Sequence, residues 1–168
     1  ALPAGHSDIA GSLNNLAILV QAQNKLAEAE PLFREALEIR LKALPAGHPD
    51  IATTLNNLAR LLEAQNKPAE AEPLFREALE ILRKALPAGH PNIAISLNNL
   101  AKVLQAQNKP AEAEPLFREA LDIYRQALPA GHPSLAAALN NLAAVLQDQD
   151  KPAEAEPLYR EALDINRK

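Results

Sequence analysis

Between residues 43 and 84 the apolar positions follow two helical rhythms separated by a short polar break. Ile51, Leu55, Leu58 and Leu62 stand at i, i+4, i+7 and i+11, a single stripe on a helix predicted from Pro49 to Gln65. Pro49 suits the first turn, where its missing N–H would be unpaired anyway, and Asp50 faces the positive end of the helix dipole. Gln65-Asn66-Lys67 interrupts the pattern, and Pro68 opens a second helix with Glu70 and Glu72 in its first turns. Ala71, Leu74, Phe75, Ala78, Ile81, Leu82 and Ala85 then fall on one side of that helix, opposite a charged flank of Glu72, Arg76 and Glu80. Pro73 lies inside it and removes one backbone hydrogen bond near Ala69, so a bend is expected there. Leu86-Pro87-Ala88-Gly89-His90 ends the helix, with Gly89 available for positive φ, and Pro91 starts the pattern again.

The pattern starts again because the chain is periodic. The string ALPAGH recurs at Ala1, Ala43, Ala85 and Ala127, dividing 168 residues into repeats 1–42, 43–84, 85–126 and 127–168. The second and third repeats differ at only nine positions, which excludes a conventional domain with one unique core. Neither helix of a repeat can bury its stripe alone. Each pair must pack on the next, predicting an all-α solenoid of eight helices spanning 1–168 as one domain.

LNNLA at Leu55 to Ala59 and AEAEPLFREALEI at Ala69 to Ile81 carry a specific resemblance, present in all four repeats. The unit resembles a tetratricopeptide repeat of the long, 42-residue kind found in kinesin light chains. Leu55, Leu58, Ala59 and Leu62 match that family's first-helix packing positions, and Asn66, Ala71, Phe75 and Ala78 its turn and second-helix positions. Asn66 stands where the family usually has Gly, and Pro68 where it usually has an aromatic residue. The resemblance implies a right-handed superhelix with the first helices on the concave side. It also implies a groove for short peptides in which acidic residues flank an aromatic one.

Composition agrees with stacked helices: 48% of residues are hydrophobic and only 3% aromatic, the apolar content being mostly Ala and Leu. The 14 Pro and four of the 5 Gly sit at fixed places in the period and act as punctuation. Absent cysteine excludes thiolate chemistry and Cys-based zinc sites. The net charge of −4 is spread evenly, with no basic segment, which argues against nucleic acid as a partner. No apolar run approaches the ~20 residues of a membrane span. The N-terminus Ala1-Leu2-Pro3 lacks an initiator Met and a signal segment, reading as a processed or excised end and favouring the cytoplasm.

Catalysis needs converging side chains, whereas repeats place like residues a full period apart, so no catalytic residue and no cofactor is expected. Glu70 with Glu72 and Glu77 with Glu80 imitate acid–base pairs, but Arg76 lies four residues from both Glu72 and Glu80, pointing to surface ion pairing. His6, His48, His90 and His132 each occupy the loop before a first helix. The accompanying acid is Asp8, Asp50, then Asn92, then Ser134, so a metal site is not expected, and the imidazole is assigned to free backbone groups at the helix start.

The outward face of the first helix remains: Thr53, Asn56, Asn57, Arg60, Glu63 and Ala64 cluster opposite the buried stripe. Asn14, Asn56, Asn98 and Asn140 are invariant there, each followed by a second Asn, although Asn is a mediocre helix former. Their neighbours vary: Gly11, Thr53, Ile95, Ala137, and Ile18, Arg60, Lys102, Ala144. Constant amides beside changing side chains suit a groove that holds a peptide backbone and reads its side chains. The expected partner is a protein or peptide with an aromatic-acidic motif, bound by Asn14, Asn56, Arg60, Asn98, Lys102 and Asn140 without catalysis. The alternative is a designed or excised consensus-like array with a purely structural role. Repeat four presents Leu142, Leu158 and Ile165 toward the end of the array, so weak head-to-tail self-association is also expected.

Overall fold

A computed structural model describes the backbone of residues 5–167 and the side chains of residues 8–167. Among these residues there are eight α-helices and no strands: α1 Gly5–Ala22, α2 Leu26–Ala43, α3 Pro49–Ala64, α4 Pro68–Ala85, α5 Pro91–Ala106, α6 Pro110–Ala127, α7 Pro133–Asp148 and α8 Pro152–Asn166. The architecture is therefore the expected all-α one, four helix-turn-helix repeats, and α3 ends one residue before the expected Gln65. The helices form two compact units, one reaching Ala85 and one starting at Leu86, each holding two repeats.

Three residues suffice for each turn within a repeat because its centre adopts a left-handed conformation. Asn24, Asn66, Asn108 and Asp150 have φ of 61°, 60°, 59° and 58°. Asn and Asp tolerate this region better than other residues with a Cβ, which is how Asn66 serves where related repeats have Gly. The Lys67 N–H donates to the Leu62 carbonyl (2.8 Å) and the Asn66 N–H to Glu63 (2.8 Å), a closure that satisfies carbonyls left over at the end of α3. The Lys67 carbonyl then accepts from Glu70 and Ala71 and starts α4.

Between repeats the histidines start the helices, as expected. Nδ1 of His48, His90 and His132 each accepts the backbone N–H two residues on, from Asp50, Asn92 and Ser134, at 3.1 Å. The side chain of His6 lies outside the described residues. Positive φ was expected at Gly89, but it occurs at Gly47 (φ 90°) and at neither Gly89 nor Gly131. The second helices run unbroken through Pro31, Pro73, Pro115 and Pro157.

Each unit has its own core. Phe33 and Phe75 in the first, and Phe117 in the second, are fully buried among alanines with no exposed surface, Ala29, Ala36, Ala71, Ala78, Ala113 and Ala120. Small residues let helices approach while the ring fills the remaining space at close-packed density. Beyond the hairpins, α2 packs on α3 in the first unit and α6 on α7 in the second.

Candidate interaction face

The outward face of the first helix is solvent-facing in both units, but its asparagines differ in exposure. In the first unit Asn14 is buried, 6% exposed, and its Oδ1 accepts from Nδ2 of Asn57 at 3.1 Å. Asn56 is half-buried, while Thr53 and Arg60 are exposed. In the second unit Asn98 is 8% exposed. Its Nδ2 donates to the Ala94 carbonyl (3.0 Å), and its Oδ1 accepts from Asn141 (3.4 Å). Asn140 and Lys102 are exposed. Within each unit the second Asn of the later repeat thus reaches back to the first Asn of the earlier one.

The second unit gathers several of these side chains around an open cavity of about 180 Å³. Asn98 and Lys102 line it with Ile95, Asn141 and Tyr124; Asn140 does not. Tyr124, from the last turns of α6, is 6% exposed and its hydroxyl hydrogen-bonds the Asn98 side chain. Burial pushes that hydroxyl above the usual phenol range, against the opposing effect of Asn98. Ile95 is half exposed at the rim, an apolar surface beside a cation. Asn14, Asn56 and Arg60 belong to the other unit.

Sequence reasoning missed the role of the turn lysines. The i, i+4 pairs Glu30–Arg34, Glu72–Arg76, Glu114–Arg118 and Glu156–Arg160 are present, but Glu80 pairs with Lys84, not with Arg76. Inside each unit the first of these glutamates also receives a lysine from the next repeat: Lys67 lies 3.5 Å from Glu30 and Lys151 2.9 Å from Glu114. Gln65 donates to Glu30 (3.0 Å) and to the Leu26 carbonyl (3.2 Å), and Gln149 to the Pro110 carbonyl (3.1 Å). Lys151 and then Arg118 hold the Glu114 carboxyl down to about 2, while Arg34 and Gln65 lower that of Glu30. The signal was available as a Lys fixed in every turn, 37 residues after a fixed Glu.

A second such contact links α2 to α3. Arg40, 8% exposed, donates through Nη1 to the Asp50 carbonyl (2.7 Å) and to Thr54 Oγ1. Among the described residues no three His, Asp or Glu side chains are grouped as metal ligands. No described helix is long and apolar enough to cross a membrane.

Repeated helical hairpins, turns closed at a left-handed residue and pairing between successive repeats define a helical repeat protein. The model of the tetratricopeptide repeat family matches residues 8–84, 81–126 and 92–168, and the chain belongs to that family. Such repeats commonly serve as protein-interaction scaffolds. No curated protein matches the chain. Among solved structures it is similar to a kinesin light chain protein of nearly identical TPR-like repeats from Podosopora anserina. That match has 29% identity and a TM-score of 0.81, covering 99% of this chain and 79% of that one. A point variant of that protein matches at 28% identity and TM-score 0.83, covering 98% and 78%. BtubC (BKLC) from P. vanneervenii matches at 27% and 0.86, covering 94% of this chain and 63% of that one.

Proposed function

We propose that the four repeats act as one non-catalytic scaffold, and that the outward face of the first helices takes a short peptide carrying an aromatic residue beside acidic ones. The observation that carries this reading is the cavity of the second unit, where a cation, an apolar rim and amides meet. A cavity of roughly 150 Å³ admits benzene, so about 180 Å³ suits one aromatic side chain. Lys102 at its edge supplies attraction for a neighbouring carboxylate, and Asn99 supplies an amide for a peptide backbone. Arg60 occupies the equivalent position one repeat earlier. Each exposed charge contributes about 0.5–1 kcal/mol, so micromolar affinity is expected. Fluorescence anisotropy with aromatic-acidic peptides tests the reading. Changing Arg60 and Lys102 together to Glu abolishes capture and leaves the helical circular dichroism intact. Unchanged capture by that double variant refutes the assignment.

A purely structural role is favoured by one observation: Asn14 and Asn98, two of the proposed backbone-binding amides, are buried and bonded between repeats. Asn98→Ala that lowers stability while peptide capture persists supports that role for the asparagine.

A further inference from the structure

The first helix, α1, and the last, α8, expose the two complementary halves of a repeat–repeat interface that each unit also contains in closed form. In α3, which packs on α2, Ile51, Leu58 and Leu61 are at most 1% exposed. In α7, which packs on α6, Leu135, Leu142 and Val145 are at most 4% exposed. Their counterparts in α1, Ile9, Leu16 and Leu19, are 49%, 47% and 56% exposed. At the other end, Leu121 of α6 is 3% exposed and its counterpart Leu163 of α8 is 48% exposed. Leu163 borders an open cavity of about 380 Å³ with Pro152, Ala155, Tyr159 and Arg160. This corrects the sequence expectation in detail: Leu142 is buried, Leu158 and Ile165 are half-buried, and Leu163 carries the exposed apolar surface.

We propose that in the 168-residue chain this surface of α8 docks a second copy through its α1, reproducing the α6–α7 interface between molecules. The charges complement each other across that junction. Inside the second unit Arg118 reaches Glu154 (3.2 Å), Arg125 reaches Glu161 (2.7 Å) and Lys151 reaches Glu114 (2.9 Å). One period further on, the same register sets Arg160 against Glu28 of the incoming copy, Arg167 against its Glu35, and Glu156 against its Lys25. Every pair is of opposite sign. Tyr159 stands where α2, α4 and α6 have a fully buried Phe, and its hydroxyl donates to Gln147 (2.7 Å). The interface joins two different faces, so association is head to tail and not two-fold. It is independent of the peptide-binding face.

Sedimentation velocity of the 168-residue chain over a concentration series up to about 1 mM, the range in which weak contacts populate, tests this. The mean mass rises with concentration. Leu19→Glu blocks the α1 face and Leu163→Glu the α8 face; each variant alone is monomeric, and an equimolar mixture forms a 1:1 dimer through the two intact faces. Both positions are about half exposed, and circular dichroism verifies folding; Leu16→Lys and Arg160→Glu serve if either variant fails to fold. A wild-type chain that stays monomeric overturns the proposal, as does a mixture that stays monomeric or single variants that still associate.

Discussion

Replacing Glu114 by Gln removes one carboxylate that ties two successive repeats together. Glu114 accepts from Lys151 in the following turn and from Arg118 in its own helix, and its side chain is only 16% exposed. Those cations hold its pKa at about 2 against an ordinary 4.5. If the whole difference appeared as stability, it would amount to about 3 kcal/mol. The partners are 38% and 47% exposed, so water screens the pair and the expected loss is about 1 kcal/mol. Because the folded pKa is depressed, this stabilisation is complete above about 4.5 and disappears as pH falls from there toward about 2. Urea unfolding of wild type and Glu114→Gln at pH 7, 4 and 2.5 measures it: the midpoints differ at pH 7 and converge at the lowest pH. Glu156→Gln is the control at dilute, monomeric concentration, since among the described residues that carboxylate pairs with Arg160 of its own helix, is 63% exposed, and predicts almost no change. A midpoint difference for Glu114→Gln that is the same at pH 7 and 2.5 would refute the electrostatic account.

Three further outcomes are expected. His132→Ala removes the acceptor for the Ser134 N–H and lowers stability by about 1 kcal/mol, whereas His132→Asn restores it; thermal unfolding distinguishes them. Asn108→Gly is close to neutral at φ 59°, and Asn108→Val costs about 1–2 kcal/mol because a β-branched residue is strained there, as chemical denaturation will show. Deleting one whole repeat, residues 85–126, leaves a helical but less stable array; complete loss of the circular dichroism signal would contradict additive repeat stability.

The helices were legible because their causes are local. Proline at the first turn, the 3.6-residue stripe and the break at Gln65-Asn66-Lys67 placed α3 and α4 to within a residue. The histidine at each helix start was legible for the same reason, since its acceptor reaches only two residues along the chain. Contacts across 35 or more residues were not. Lys151 with Glu114 and Asn141 with Asn98 depend on how far one hairpin slides on the next, and 100° per residue carries no information about that. The candidate face was half legible: helical geometry put Asn98 and Lys102 on one side, but Tyr124 joins them from the end of another helix. Gly89 shares its local sequence with Gly47, yet of the two Gly47 alone takes a positive φ, so the flanking residues do not decide that conformation.

Near-identical repeats carry a hazard of their own, since a hairpin can dock on the wrong neighbour while the chain folds. The position held by Arg40 is Leu82, Tyr124 and Asn166 in the later repeats, and the position held by Thr54 is Ser96 and Ala138. Arg40 finds a hydroxyl and a carbonyl on α3, whereas Tyr124 shares its cavity with the methyl of Ala138. Setting α2 on α7 would leave the guanidinium of Arg40 facing Ala138 without the hydroxyl, one more donor of a buried cation unpaired, at a cost of about 1–3 kcal/mol. Two side chains thereby write an address into near-identical parts, one that favours α3 over α7 as the neighbour of α2.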